Sequence, residues 1–373
     1  MKLRLYFFYG LVVLCFISCS HKEKDLLISA DVIEFDSFPK EIRKTAHPTG
    51  ISVMGVIGLE IYENMLMAFT VNPAALISIV DLDTGETLWE GGLLGRGPDE
   101  FLSRFSTQSQ FEARNGHICL WTFVREARRG VLIDITESIA KQKTVICESW
   151  LLKAEYAQRD GMLILPNGER FVKFPLTYDD PRDAIFYYPK YLYFSSDDRE
   201  IRELDFFKRG RCSLPPLSDR MAIHQLLFDG TLKLKPDGTK AIDAFTYADH
   251  LNFLDLVKNS GFSMKYSKGI PLADLAKISR SDLNQSKLGS YKNVTVTDDY
   301  VLALFSEKQA LKEGEVDRYT TSAIRIFDWD GNPLSLVHVD KELSSIAYDQ
   351  RTKRVYALDF EENIMYYELD DVI

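Results

Sequence analysis

The sequence predicts an all-β chain folded as a six-bladed β-propeller, and three observations carry that expectation. Short apolar runs rich in Tyr, Phe and β-branched residues are separated by Asp and Gly turn signals, with little sustained helical periodicity. These runs sort into six consecutive groups of the size of a propeller blade plus loops. The last group is one strand short, while a spare strand stands near the N-terminus, as a ring that closes on itself requires.

The groups follow in order. Group one has runs at 56–61, 65–70, 76–81 and 86–90; group two at 109–113, 117–122, 130–135 and 143–148. Group three has them at 161–165, 170–174, 191–195 and 200–205; group four at 224–228, 241–247, 250–256 and 263–266. Group five has runs at 292–297, 300–305, 323–327 and 334–339, and group six only at 343–348, 354–359 and 364–369. The run at 27–35 is the spare and is expected to fill the fourth slot of the last blade. Runs such as 66–69 and 301–305 are apolar on both sides, which suits strands covered on both faces. Asp83-Thr84-Gly85 and Asp328-Trp329-Asp330-Gly331-Asn332 suit tight turns, because Gly and Asp tolerate positive φ and Asp can accept from its own backbone. Only 271–290 reads as partly helical, with Leu272, Leu275 and Ala276 at helical spacing; it is an excursion between blades four and five.

The first residues carry a different signal. Lys2 and Arg4 precede a neutral apolar run from Leu5 to Ser18, and Ser20-His21-Lys22-Glu23-Lys24-Asp25 follows. That is the pattern of a secretory signal, too short to span a bilayer comfortably, which takes about 20 apolar residues. The run ends Phe16-Ile17-Ser18-Cys19, and this resembles the lipobox of bacterial lipoproteins. The resemblance implies cleavage before Cys19 and acylation of Cys19, including palmitate-type chains. It departs from the commonest lipobox at Phe16, where Leu is usual. Cys15, after bulky Leu14, is the weaker candidate; an uncleaved anchor or an ordinary secretory signal are the plainer readings. The expected organisation is a signal at 1–18, a lipidated cysteine and tether at 19–26, and a propeller at 27–373. The charged tether reads equally as a solvated spacer or as a surface-export signal of an outer-membrane lipoprotein, periplasmic or surface-exposed.

Composition narrows the function classes. The net charge is −10, and no basic block is present, so nucleic acid is a poor partner. The membrane link is expected through the lipid alone. Of five cysteines, Cys119, Cys147 and Cys212 remain beyond the signal and the acylated position, with no C-x-x-C. No metal site or cofactor is expected from that spacing. One pair could bridge, or all three could be small core residues.

At Gly95-Arg96-Gly97-Pro98-Asp99-Glu100-Phe101 the chain resembles the TolB-like six-bladed propeller lipoproteins of gut-type Gram-negative bacteria, which carry a G-x-G-P-G-E-F segment after the first blade; NHL-type propellers have a related one. Asp99 stands where that family has Gly. The resemblance implies a propeller and an envelope address, and assigns no activity. Physically, two glycines and a proline make a tight connection that Phe101 can plug into the core while Glu100 caps neighbouring amides. Arg96 would then stand at the channel mouth or serve only this inter-blade clasp.

No G-x-S-x-G, P-loop or H-E-x-x-H is present, and the six histidines are scattered. Asp81-x-Asp83-x-Gly85 begins like a calcium loop but has Gly92 at position twelve, so it reads as a hairpin turn. The loops between second and third strands are polar and aromatic. They offer Arg125, Arg128 and Arg129; Asp179, Asp180, Arg182, Tyr187 and Tyr188; and Glu361 and Glu362. With Arg96, the residues Arg125, Arg128, Asp180, Arg182, Tyr187, Tyr188 and Glu361 are candidates for binding a glycan, peptide or envelope protein, since stacking area beside charged groups suits recognition. Ordinary solvated loops are the plainer reading, and 175–189 and 306–322 are the longest insertions. The expected function is a non-catalytic binding propeller. A lactonase- or lyase-like propeller enzyme with a channel-mouth site is the alternative, and a structural subunit with an apolar patch a third.

Overall fold

The computed structural model describes residues 22–23, 28–97, 99–124, 126–151, 161–177, 188–197, 199–207, 228–269, 272–275, 289–308 and 319–372. Their strands form six sheets in a ring, each built on an antiparallel blade. Blade one is Val56–Tyr62, Met65–Thr70, Ile77–Asp81 and Thr87–Gly91. Blade two is Gln110–Arg114, His117–Val124, Arg129–Asp134 and Ile146–Leu151. Blade three is Gly161–Ile164, Arg170–Thr177, Tyr188–Phe194 and Glu200–Leu204. Blade four is Gly230–Leu234, Lys240–Phe245, Leu251–Asp255 and Ser260–Tyr266. Blade five is Gly289–Val296, Tyr300–Lys308, Tyr319–Asp328 and Pro333–Val339. Blade six is Leu343–Asp349, Arg354–Asp359 and Ile364–Glu368. The six-bladed propeller read from the strand rhythm is therefore the fold.

Three details differ from the sequence reading. The inner strand of blade four is Gly230–Leu234, not 224–228; Phe228 lies in the turn before it and residues 224–227 are outside the described set. A helix, Ile135–Lys141, leaves blade two after its third strand. Asp134 caps it, its Oδ1 accepting from the Glu137 amide at 2.8 Å, which is why a seven-residue helix forms in a strand-rich stretch. The third difference concerns closure.

Residues 27–35 do not close the last blade. Asp31–Phe35 runs parallel to Ser260–Tyr266 as an added outer strand of blade four. Lys40–Lys44 then runs parallel to Pro333–Val339 on the outside of blade five. Only then does His47–Pro48 pair antiparallel with Ile364–Glu368 and supply the fourth strand of blade six. The N-terminal segment is thus a belt around three consecutive blades. Its aromatic and aliphatic side chains explain the route. Phe35 and Phe38 pack against Phe327 with ring centroids 5.5 and 5.4 Å away, and Val32 and Ile28 are buried between blades three and four. Lys265 holds Glu34 at 2.9 Å. The closing strand was invisible to pattern reading because it is two residues long and half of it is proline. It is fixed by neighbours instead: His47 stacks on Tyr366 at 5.1 Å, and Thr49 donates to the Ile364 carbonyl at 2.7 Å.

Apolar clusters fill the seams between blades, since each blade covers its neighbour's face. The seams one–two, three–four, four–five, five–six and six–one each bury a broad set of side chains. The seam between blades two and three is the thinnest among the described residues: Cys119, Trp121 and Leu132 are buried from blade two and Val172, Leu192 and Phe194 from blade three, with Trp150 and Ile164 half-buried beside them. Arg170 stacks its guanidinium over Trp150 at 4.0 Å there.

The Gly95–Phe101 link folds as its residue types require. The Gly95 amide donates to the Phe101 carbonyl at 2.9 Å, Phe101 is buried, and the Glu100 carboxylate accepts from the Gly97 amide at 2.7 Å. A Cβ at Gly95 would collide with that carboxylate, so the glycine makes room for the cap. The Asp81 turn is a plain hairpin: Asp81 Oδ1 accepts from the Asp83 and Thr84 amides at 2.8 and 2.9 Å.

His250, on the upper turn of blade four, is fully buried with Nδ1 2.8 Å from the Ser263 hydroxyl. Burial, with the Lys265 charge adding to it, pushes its pKa down to about 3. The unfolded chain therefore binds a proton at His250 below about pH 6.5 that the native state refuses until about pH 3. Stability should fall as pH drops through this window, by up to about 1.4 kcal/mol per pH unit from this group. Urea midpoints at pH 7, 5.5 and 4 should decline more shallowly in His250→Asn than in the parent chain; parallel profiles would refute the assignment.

Candidate functional site

The inner strands run from the upper face, where links between blades arrive, to the lower face, where the first hairpin of each blade turns. They enclose an axial cavity of about 640 Å³ that reaches the lower hairpins. Its polar lining includes Glu60, Gln110, Glu112, Lys233, Thr295 and Tyr348, with Arg114 and Lys235 at its edge.

Most of these groups are held by neighbours. Inner strands of adjacent blades share no β ladder, so side chains stitch them. Gln110 donates to the Ile164 carbonyl at 2.7 Å and accepts from the Ile164 amide at 3.0 Å. Ser345 of blade six accepts from the Leu59 amide of blade one at 3.2 Å, and Gln108, just before blade two, donates to the Gly230 carbonyl of blade four, two blades on, at 2.8 Å. Glu112 accepts from Arg114 Nε at 2.8 Å and from the Trp121 indole at 2.7 Å.

One pair does something else. Glu60 belongs to blade one and Lys233 to blade four, which face each other across a six-membered ring. Lys233 Nζ donates to Glu60 Oε1, so the pair bars the channel from wall to wall. The side chains keep 8% and 15% exposure, enough to meet the cavity but little water. Burial pushes the Lys233 ammonium down to about 7. Tyr348, also on the wall, has its phenol pushed up to about 12 by burial and so stays a neutral donor.

Those residues picked from the sequence that the structure describes lie elsewhere. Arg96, Arg128 and Glu361 are exposed on the upper face, in separate turns, and none of these three side chains bonds another. Arg128 sits at φ 51° and ends its hairpin. The Glu361 amide donates to Asp359 Oδ1 at 2.9 Å, so its position is that of a turn residue. Glu362 takes a structural role, accepting from the Gly55 amide at 2.9 Å and joining blade six to blade one. Tyr188 begins a strand opposite Thr177. Arg125, Asp180, Arg182 and Tyr187 lie outside the described residues, as do Cys19 and most of the 175–189 and 306–322 insertions. The upper face also exposes Met54, Val71, Leu94, Leu102 and Phe360. A cavity of about 430 Å³ beneath it is lined by Arg104 and Glu126, not by Arg96 or Arg128.

Sequence reading missed Glu60 and Lys233. The available signal was weak: one charged residue on an inner strand that is otherwise apolar, in two groups half a ring apart.

A second cluster lies at the lower rim of blade two. Cys119, Asp134 and Cys147 bring their sulfur and carboxylate atoms within 4.8 Å of one another. Both cysteines are free thiols, Cys119 buried and Cys147 exposed. Cys212 lies outside the described residues.

Comparison with known proteins supports the architecture. No protein-family model matches the chain, and no curated protein is similar to it. Among solved structures, a protein of Bacteroides fragilis described only as exported is 12% identical, with a TM-score of 0.52 over 88% of this chain and 98% of that one. The β-propeller domain of Cps50 (Swd1) from Myceliophteria thermophila is 15% identical over 87% and 99% of the two chains, with a TM-score of 0.44. Regucalcin, a calcium-binding protein of Agrobacterium tumefaciens, is 12% identical over 89% and 95%, also at 0.44. The fold, with the likeness to the exported Bacteroides fragilis protein beside it, defines the class: the chain is a six-bladed β-propeller. Among the described residues no helix is long and apolar enough to cross a membrane.

Proposed function

We propose that this chain is a non-catalytic binding propeller of the bacterial envelope, tethered to the membrane by lipid on Cys19. Its ligand would be a small polar molecule or chain end, a glycan or a peptide, entering the axial cavity from the lower face. The observation that carries this reading is the channel itself: about 640 Å³, walled by tyrosine and amide groups and floored by the Glu60–Lys233 pair. Pockets of this size with a few placed polar groups suit small ligands. Most of the polar groups there are already engaged with neighbouring backbone or side chains, which favours recognition over proton transfer.

Titration of the purified chain with a panel of envelope oligosaccharides and short peptides, read by calorimetry, tests the site. A ligand of the channel should bind at least about tenfold more weakly to Glu60→Gln or Lys233→Met, the loss of one directional polar contact. Binding that survives both substitutions unchanged would move the site off the axis.

Lys233 also supports a second reading. An amine near neutrality in a channel could act as a general base, as a lactone- or uronate-cleaving enzyme needs. Turnover of such substrates, abolished by Lys233→Met, would replace the binding reading.

The anchor has its own test. Cys19→Ser should move the protein from the membrane fraction to the soluble envelope fraction, since several acyl chains at about 0.8 kcal/mol per buried methylene supply the attachment. A variant that still sediments with membranes would overturn it.

A further inference from the structure

We propose that Cys119, Cys147 and Asp134 form a binding site for one divalent ion of zinc-like, thiolate-preferring chemistry at the lower rim of blade two. The three residues are far apart in sequence and fit no ligand-spacing motif, so only the fold unites them.

Each is placed by strand geometry. Cys119 stands opposite Asp134 in the register of the second and third strands, so both project from one face. On the outer strand, Glu148 stands opposite Leu132 and Ile146 opposite Ile133. Cys147 is the extra residue of the bulge between them, and that irregularity lets its sulfur join the other two. Bulges of this kind re-aim a side chain. The atoms lie within 4.8 Å of one another. Tetrahedral coordination at ordinary zinc–sulfur and zinc–oxygen lengths sets ligands about 3.3–3.8 Å apart. An inward shift of about an ångström closes the site, and Cys147, exposed on a bulge, is free to make it.

The surroundings are those of a metal's outer shell. Asp134 Oδ1 accepts from the Glu137 amide at 2.8 Å, and Oδ2 lies 2.6 Å from His117 Nδ1. A ligating carboxylate is held in this way, and His117 is a positioning residue. Glu112 and Glu148 add negative charge nearby, with Arg114 bonded to both. Exposure of Cys147 gives the ion an entry path and leaves a fourth position for water. Without an ion, burial pushes the Cys119 thiol up to about 12. A bound cation reverses this, because a coordinating thiol gives up its proton. The site lies at the thinnest apolar seam of the described ring, between blades two and three. An ion there clips the outer strand of blade two to its second strand, and its role is structural.

Cobalt(II) is the direct probe. The reduced, chelator-stripped full chain should bind one equivalent, with a thiolate-to-cobalt charge-transfer band and tetrahedral d–d bands, both erased by zinc. Cys147→Ser, which alters an exposed position, should weaken the charge-transfer band and cut affinity more than a hundredfold. His117→Ala should cut it about 10–100-fold, and Cys212→Ser should change nothing. Zinc should raise the melting midpoint of the parent chain and not that of Cys147→Ser. Absence of the band, a band indifferent to Cys147→Ser, or a Cys119–Cys147 disulfide in the intact mass of protein isolated from the envelope would each overturn the proposal.

Discussion

Replacing Arg325 with methionine is expected to cost about 3–5 kcal/mol of unfolding free energy, because it leaves a buried carboxylate without its cation. Arg325 lies on the third strand of blade five and reaches into the seam with blade four. Its Nη1 donates to Asp249 Oδ1 at 2.6 Å and to the Tyr291 hydroxyl at 2.8 Å. The guanidinium also lies 3.4 Å from the centre of the Phe305 ring. Both charged side chains are only 6% exposed. Water cannot replace the lost partner, and Asp249 must either stay charged in an apolar seam or take up a proton. The double variant Arg325→Met with Asp249→Leu should recover more than half of the loss, since a packed apolar pair has no orphaned charge. Urea unfolding of the three proteins measures this. A single variant within about 1 kcal/mol of the parent would show that the seam rests on its aromatic packing alone.

Deleting residues 1–49 should abolish the folded monomer, while deleting 1–27 should leave it intact. The shorter deletion takes away the stretch that the sequence reading expects to be an export signal, together with the two-residue strand Lys22–Glu23. The longer one removes the belt. It uncovers the outer edges of Ser260–Tyr266, Pro333–Val339 and Ile364–Glu368 together, and unpaired edges invite intermolecular pairing. It also strips away buried Ile28, Val32, Phe35 and Phe38. Size-exclusion chromatography and near-ultraviolet circular dichroism should show aggregate for the 1–49 deletion. A monomer with the parent's melting midpoint would mean that the ring closes without its belt. Phe35→Ala is the graded version. It should cost about 3–5 kcal/mol while leaving the backbone pairing in place.

The belt also shows why pattern reading stopped where it did. The count was legible: a last group with three strands demands a fourth from the other end of the chain. The address was not. Residues 31–35 have the alternation and aromatics of a strand, so they look like the missing piece. Yet the pocket that accepts Phe35 is made by Tyr266 and Phe327, from blades four and five. His47–Pro48 has no strand signature and closes the ring because the chain has by then been carried to blade six.

The candidate sites follow the same division. Turn chemistry was legible residue by residue, as at Asp81 and along Gly95–Phe101, because those bonds are local. Exposed charged loops drew attention on the upper face, while the cavity that meets Lys233 opens below. Glu60 and Lys233 are separated by half a ring, as Cys119 and Cys147 are separated by a helix and a strand. Neither pairing has a short-range signal.

By itself the sequence determined the all-β class, the six sectors, the turn types and the need for closure, because these depend on near-neighbour periodicity and on covering hydrophobic faces. Tertiary structure alone decided which blade received each belt strand, which opposite walls are bridged by the Glu60–Lys233 ion pair, and which thiols lie together. Those outcomes depend on distances across a closed ring, and a linear chain does not specify such distances until every sector is in place.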